Sequence, residues 1–206
     1  MDRCPLSGVH AIILAAGASS RMGEPKQLLK IGNKTLLNHC VEEVSKAPFT
    51  GITLTLGANA ERIIPTLPAN AGVEIFRNPN YHEGLGNSIA SSVQHIRETA
   101  APEAIILILA DQPYLKAEHL RVFLEQHESG TDEILISNYQ NGNSGPPVLF
   151  TSRFYPELCQ LGDDQGAKRV ISKYPEQCRK IDLKGFVPVD IDTPEDYQRL
   201  MLDFKA

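Results

Sequence analysis

Short apolar runs alternate along the chain with segments in which apolar residues recur at helical spacing. Val9–Ala15 is apolar almost throughout, and Ala104–Ala110 is the most apolar segment of the chain. Continuous apolar runs of this length are typical of strands covered on both faces of a sheet. Because strands that alternate with helices form βα units, the pattern predicts a mainly parallel sheet.

The first part of the chain divides into βα units. In Asn33–Ala47 the apolar residues share one face of a predicted helix, and Pro48 ends that segment. The other predicted helices are Asn59–Leu67, Ser88–Thr99 and Ala117–Glu128. The predicted strands are Val9–Ala15, Ile52–Leu56, Val73–Phe76 and Ala104–Ala110.

The pattern changes after Asp132. Two predicted strands are joined by the polar, Gly- and Asn-rich stretch Gln140–Gly145, which is typical of a hairpin or a loop-rich insertion. A terminal helix begins at Pro194, because proline is favoured in a first helical turn. The predicted elements after Asp132 are strands Glu133–Tyr139, Pro147–Phe150, Arg179–Asp182 and Val187–Asp190, and helices Ser152–Leu161, Gly166–Lys173 and Pro194–Phe204.

The composition is that of an ordinary globular protein, with 42% hydrophobic and 22% charged residues in a chain of 206. No repeat or linker interrupts it, so we expect one domain over residues 1–206. The formal net charge of −5 at pH 7 excludes a protein that coats nucleic acid, because binding many phosphates needs a surplus of Lys and Arg.

Compartment and membrane association also follow from composition. The four cysteines are scattered without a CxxC or a Cys/His cluster, which is typical of reduced thiols rather than disulfides or a zinc site. No stretch reaches the about 18 apolar residues of a membrane span, and the N-terminus lacks the apolar core of a signal peptide. We therefore expect a cytoplasmic protein with no membrane partner.

The loop from Leu14 to Lys26 is a candidate phosphate cradle. It follows the first strand with the small residues Ala15 to Gly17, which let backbone N–H groups approach an anion, and Gly17 can adopt a positive φ. Arg21 and Lys26 add a bidentate fork and a point charge, a combination suited to a triphosphate. The alternative is a flexible connection that carries two solvated cations.

Two other phosphate motifs are excluded. In Gly32-Asn33-Lys34-Thr35 the asparagine separates Gly from Lys, so the Walker A pattern fails. Gly17-Ala18-Ser19 breaks the G-x-G-x-x-G dinucleotide pattern. The sequence therefore supports neither a P-loop ATPase nor a dehydrogenase.

Two acidic segments are candidates for a metal site. Asp111 follows the most apolar strand, and Mg²⁺ prefers one or two carboxylates together with phosphate oxygens. Asp190 and Asp192 alternate on a predicted extended chain and so point the same way. The alternative is a capping role, because a turn follows Asp111 and a helix follows Asp192 and Thr193.

Three motifs in order resemble the MobA-like nucleotidyltransferases, and the closest subgroup is the molybdenum cofactor cytidylyltransferases (MocA-like proteins). They are the loop LAAG-x-S-x-RMG-x-x-K, the DQP after the buried strand, and the closing DIDTPEDY. The resemblance covers Ala11 to about Leu200. It implies a Rossmann-like three-layer α/β/α fold with a mostly parallel sheet, of the nucleotide-diphospho-sugar transferase type.

The resemblance also assigns the nucleotide side of the site. It implies catalytic roles for Arg21, Lys26 and Asp111, and an Mg²⁺ ion on Asp111 and Asp192. Alanine at Ala16, where guanylyl-transferring relatives tend to carry glycine, favours CTP over GTP. Ser88 at a helix start either touches the base or caps the helix. The nucleotide-binding residues implied are Leu14, Ala15, Ala16, Gly17, Arg21, Lys26, Asn78, Gly86, Ser88 and Asp111.

On the acceptor side this chain departs from its relatives. Many of them carry histidine where this chain has Pro146, and a shorter G-D-x-G-A-R where it has Gly162–Lys168. The implied acceptor is the terminal phosphate of molybdopterin or the molybdenum cofactor, with a molybdenum hydroxylase or its chaperone as a partner. The acceptor-binding residues implied are Gln112, Gly145, Pro146, Pro147, Asp163, Gly166 and Lys168.

The expected reaction is nucleotidyl transfer with release of pyrophosphate. The acceptor phosphate is ionised at neutral pH, so the in-line attack needs no general base. A sugar-phosphate or methylerythritol-phosphate nucleotidyltransferase of the same fold is the first alternative. The second is a non-catalytic nucleotide- or pterin-binding protein that delivers cofactor to a molybdenum enzyme.

Overall fold

Strands and helices alternate over the ranges that the computed structural model describes, which are residues 8–19, 22–69, 71–129, 134–139, 142–162 and 164–204. The strands are β1 (Val9–Ala15), β2 (Lys30–Ile31), β3 (Lys34–Thr35), β4 (Gly51–Leu56), β5 (Glu74–Arg77), β6 (Ala104–Leu109), β7 (Ile134–Asn138), β8 (Ser144–Thr151) and β9 (Cys178–Asp182). The helices are α1 (Leu36–Ser45), α2 (Ala60–Ile63), α3 (Leu85–Thr99), α4 (Ala117–Ser129), α5 (Tyr155–Leu158), α6 (Lys168–Lys173) and α7 (Pro194–Asp203).

The central sheet is mostly parallel, as predicted. Over the described ranges its seven strands lie in the order β5-β4-β1-β6-β8-β7-β9, and of these only β8 runs antiparallel to its neighbours. The antiparallel pair β7 and β8 confirms the predicted hairpin. Because β8 runs against the other strands, its first residues lie at the edge where the parallel strands end.

Helices cover both faces of the sheet. Alternate residues of β1 point to opposite sides, as strand geometry requires. Ile13 packs with α1 and α4 residues in one buried cluster, whereas Ile12 packs with Ile89 and Val93 of α3 in a second cluster. This arrangement is a three-layer, Rossmann-like α/β/α fold.

The strand order reverses direction between β1 and β6. The chain continues from β1 to β4 and β5 on one side and then crosses to β6 on the other side of β1. In open parallel sheets, the crevice at the carboxyl ends of such a pair of strands is where ligands bind. The loop from Leu14 to Lys26 starts at this crevice, and Asp111 lines it.

Several predicted elements differ from the structure; the helices predicted from Ser88 and Gly166, for example, begin at Leu85 and Lys168. The predicted strand Val187–Asp190 is wrong, because this segment has no sheet partner and crosses towards the end of β6, where Ile191 N–H donates to the Asp111 carbonyl at 3.1 Å. The helix predicted from Asn33 begins later, at Leu36. Its first predicted turn is instead part of the hairpin between β2 and β3, in which Gly32 has φ 58°.

None of the helices in the described part of the chain has the length and apolar character needed to cross a lipid bilayer.

Candidate active site

A cavity of about 390 Å³ opens at the carboxyl ends of β1 and β6. Its lining comes from at least five separate parts of the chain, which the sheet topology brings together. Eight of the residues predicted for nucleotide or metal binding line it, namely Leu14, Ala15, Ala16, Gly17, Lys26, Ser88, Asp111 and Asp192.

The buried side chain of Gln27 holds the loop after β1 in place. Its amide nitrogen donates to the carbonyl oxygens of Ala15 at 2.9 Å and Gly17 at 3.0 Å. Ser19 Oγ accepts a hydrogen bond from the Lys26 backbone N–H at 3.0 Å. Ser19 takes the positive φ, 53°, that was expected at Gly17. These hydrogen bonds connect the described residues of the loop to one another and to the end of β1.

Replacing Gln27 by leucine is expected to lower the free energy of unfolding by about 1–3 kcal/mol, because two carbonyls lose their donor. The loop would also lose its fixed shape, so the KM for nucleotide should rise. Urea denaturation and initial-rate kinetics measure the two effects. The exposed Gln160→Leu variant is the control, and equal stability of the two variants would contradict a clamping role for Gln27.

Lys26 lies between two carboxylates in this cavity. Its ammonium group donates to Asp111 Oδ2 and, at 2.8 Å, to Asp192 Oδ1. Burial alone lowers the pKa of Lys26, but the charges and hydrogen bonds of Asp111 and Asp192 outweigh it, so the net pKa is raised. Lys26 is therefore fully protonated at neutral pH.

The segment before α7 leaves Asp192 available to the cavity. Thr193 is the N-cap of α7, and its hydroxyl accepts from Asp196 N–H at 3.2 Å in a reciprocal capping box. The helix therefore does not need Asp192 as its cap. The capping alternative for Asp192 is wrong.

Asp190 lines the same cavity as Asp192. Burial raises its pKa first, and the nearby Asp111 charge raises it further. The Gln112 side chain donates to Asp190 Oδ1 at 2.9 Å and so fixes its orientation. Gln112 is 3% exposed and is not among the residues that line the cavities.

Asp111 and Asp192 fit the ligand set of a magnesium-type ion. Asp111 Oδ1 is buried and has no hydrogen-bond partner among the described groups, so it retains an acceptor for a cation. Among the described residues, no cluster of three or more His, Cys, Asp or Glu side chains is able to cage a metal. Two carboxylates without a full cage suit a cation that also binds phosphate oxygens and water.

The far end of the cavity is built around Ser88. Helix α3 begins at Leu85, so Ser88 lies inside its first turn and does not cap it. Asn78 is 2% exposed and donates to Ser88 Oγ at 3.2 Å and to Asn87 Oδ1 at 3.0 Å. Asn78 therefore orients the cavity wall from behind.

A second cavity, of about 590 Å³, adjoins the first. The two share the residues Leu14, Leu85, Leu109, Asp164 and Asp190. The second cavity is lined mainly by aliphatic side chains, with Lys168, Asp164 and Asp190 as charged groups. Three of the predicted acceptor residues line it, namely Gly145 and Pro146 near the start of β8 and Lys168 at the start of α6.

Residues 11–178 match the family model described as the MobA-like NTP transferase domain. The chain belongs to the MobA-like NTP transferase family. The predicted resemblance and fold are thereby confirmed, and so is the assignment to nucleotidyltransferases.

Three similar proteins indicate how far this MobA-like chain resembles known members. It is 28% identical to the purine catabolism protein PucB of Bacillus subtilis, over 90% of this chain and 92% of that protein. It is 24% identical to the molybdenum cofactor cytidylyltransferase of Escherichia coli, over 93% of this chain and 95% of that protein. The crystal structure of Rv0371c of Mycobacterium tuberculosis in complex with manganese has a TM-score of 0.80 at 27% identity. The match covers 94% of this chain and 98% of that chain.

Other predicted residues of this MobA-like site lie behind the cavity walls or outside the described ranges. Arg21 and Asp163 lie outside the described residues. Gly166, with φ 58°, sits against Leu85, where an added Cβ would lie 3.0 Å from that side chain. The residues that are not among those lining either cavity are Asn78, Gly86, Gln112, Pro147 and Gly166.

Three residues that the sequence reasoning missed contribute to this MobA-like site. Gln27 clamps the loop, and Tyr81 lines the first cavity. Gly57 follows β4 and lets the Tyr81 side chain and the loop after β1 pack against its backbone. An added Cβ would lie 2.8 Å from the Ala16 carbonyl oxygen. No motif in one sequence marks these residues, since their roles depend on contacts between distant segments.

Proposed function

We propose that this protein transfers CMP from CTP to the terminal phosphate of a molybdopterin-type acceptor and releases pyrophosphate, with Mg²⁺ as the divalent cation. The observation that carries the proposal is the group of Lys26, Asp111 and Asp192 beside the loop after β1. Cationic and metal-ligating groups together at a sheet switch point are suited to a nucleoside triphosphate.

The proposed roles follow from the charge each group provides. The loop's carbonyls at Ala15, Ala16 and Gly17 accept hydrogen bonds within the protein, so its N–H groups are the donors for phosphate oxygens. Lys26 and Arg21 would neutralise the α-phosphate and the departing pyrophosphate. Bound to Asp111 and Asp192, Mg²⁺ would supply further charge neutralisation at the phosphates.

The covalent change is a substitution at the α-phosphorus of CTP. An oxygen of the acceptor phosphate forms the new P–O bond, and the bond from the α-phosphorus to the oxygen of pyrophosphate breaks. Because the attacking oxygen is already ionised, this chain has to supply only alignment and charge stabilisation. No residue needs to remove a proton.

The first cavity would hold the nucleotide and the second the acceptor. Adjacent cavities with shared walls allow two substrates to meet at Asp190 and Leu109. Ala16 supports CTP over GTP through the family resemblance. The E. coli relative's name, molybdenum cofactor cytidylyltransferase, supports the same nucleotide and acceptor.

The lining of the second cavity favours a pterin over a sugar phosphate or methylerythritol phosphate. A sugar or polyol needs several hydrogen-bonding partners when it is enclosed. Polar groups such as Ser144, Gln165 and Ser172 also line the cavity, but Leu107, Ile136, Val148 and Ile171 form aliphatic walls that suit the faces of a flat heteroaromatic ring better than a sugar. Lys168 would contact the acceptor's phosphate.

Pyrophosphate release tests the proposal against its alternatives. We expect release with CTP above the other three nucleotides, only with a divalent cation and only with molybdopterin or its molybdenum form. Release with ATP or UTP and a sugar phosphate would contradict the acceptor assignment while leaving the enzyme class intact. Tight binding of CTP and pterin without any release would favour a delivery protein.

A further inference from the structure

The Lys26 ammonium group lies between Asp111 and Asp192, the two carboxylates proposed to bind the divalent cation. Its side chain is 16% exposed, that of Asp111 is 15% exposed and that of Asp192 is 49% exposed. The ion pair with Asp111 is therefore largely shielded from water, where charge interactions are stronger than at the surface.

A divalent cation and this ammonium group compete for the negative charge of the same two carboxylates, although Asp111 Oδ1 itself has no hydrogen-bond partner in the described part of the chain. Asp111 Oδ2 and Asp192 Oδ1 both accept hydrogen bonds from Lys26 Nζ. A cation bound by both carboxylates would lie within a few ångströms of a positive charge in a shielded site, which is strongly unfavourable. Lys26 has to move before the two carboxylates can bind the cation together.

The backbone around Lys26 permits a side-chain movement and little else. The Lys26 N–H is fixed to Ser19 Oγ, and the next residue, Gln27, holds the loop through Ala15 and Gly17. The four-carbon lysine side chain can rotate about this fixed point. From it the ammonium group is able to exchange carboxylate oxygens for phosphate oxygens of a nucleotide in the adjoining cradle.

We propose that Lys26 keeps the divalent cation off the Asp111–Asp192 pair until a nucleotide triphosphate binds and takes over the lysine's charge. The inference rests on the proposed function, because it assumes the nucleotide and metal sites assigned there. Metal binding and nucleotide binding are then coupled through this one side chain, and by linkage each strengthens the other.

Titration of the nucleotide-free protein with Mn²⁺ tests this coupling. Electron paramagnetic resonance measures the concentration of free Mn²⁺ at each point. We expect Lys26→Met and Lys26→Gln to bind Mn²⁺ at least about tenfold more tightly than the wild type, within the range of known coupling energies. Lys30→Met, which removes an exposed lysine outside the cavity, should bind Mn²⁺ like the wild type. Equal or weaker binding by both Lys26 variants would overturn the inference.

A second titration in the presence of a non-hydrolysable CTP analogue separates this inference from the proposed function. The wild type should gain more Mn²⁺ affinity from the analogue than Lys26→Met does. If neither protein binds Mn²⁺ with or without the analogue, the metal site of the proposed function fails and the inference fails with it. Thermal melting in Mn²⁺ checks folding, and a larger rise of Tm for Lys26→Met than for the wild type is the expected result.

Discussion

Replacing Asp111 by asparagine is expected to lower kcat by about 10³-fold, the largest effect of any single substitution in this site. Asparagine has nearly the same shape, so the fold should persist, but it removes the negative charge at the end of β6. The orphaned Oδ1 and the ion-paired Oδ2 are both lost as anionic ligands. Pyrophosphate release under saturating CTP, acceptor and Mg²⁺ measures the effect.

The matched control is Asp182→Asn on the edge strand β9. Asp182 is exposed and accepts a hydrogen bond from Asn138 at 2.6 Å, and it is not among the residues lining the two cavities. Its substitution should leave kcat unchanged. If Asp111→Asn retains the turnover of this control, the metal and catalytic assignment of Asp111 is wrong.

Replacing Lys26 by methionine is expected to lower kcat/KM for CTP by about 10²-fold or more. Methionine keeps the side chain's length and removes its charge, which in the proposed mechanism stabilises the α-phosphate and pyrophosphate. The same variant should bind Mn²⁺ more tightly without nucleotide. Weaker catalysis together with tighter metal binding separates the loss of a phosphate contact from simple damage to the site.

Initial rates over a range of CTP concentrations measure this effect, with Lys30→Met as the control. The Lys30 variant should keep the wild-type kcat/KM, because its side chain is exposed away from the cavity. Retention of activity by Lys26→Met would remove Lys26 from the mechanism. A loss shared equally by Lys30→Met would point to a general effect of net charge.

The sheet could be predicted from the chain because its strands are buried on both faces. Val9–Ala15 forms β1 with the predicted bounds, and Ala104–Ala110 differs from β6 by one residue. Where the pattern failed, tertiary contacts decided the structure. The segment Val187–Asp190 is apolar enough for a strand, but it crosses the carboxyl edge, where its hydrogen bonds do not extend the sheet.

The nucleotide side of the site was predictable for a different reason. Motif residues such as Ala16 and Asp111 follow strands directly, and the topology of a parallel sheet carries strand ends to one edge. Asp192 could be placed only after Thr193 was seen to cap α7. The supports of the cavity, Gln27 and Gly57, have no signal in a single sequence, because they act through segments that are distant along the chain.

The acceptor side was the least predictable part of the site. Gly145 and Lys168 come from segments that depart from the family pattern, and their meeting depends on the reversed direction of β8. The sequence also gave no sign of the aliphatic walls that the sheet and α6 present to this cavity. Its chemical character became visible only from the packing.

The fate of labelled CTP tests the central claim of nucleotidyl transfer most directly. The protein is incubated with Mg²⁺, molybdopterin and CTP labelled with ³²P at either the α or the γ position. We expect the α label to appear in a product joined to the pterin phosphate and the γ label to appear in pyrophosphate. Transfer of the γ label to the acceptor, or release of the α label as free CMP, would contradict it.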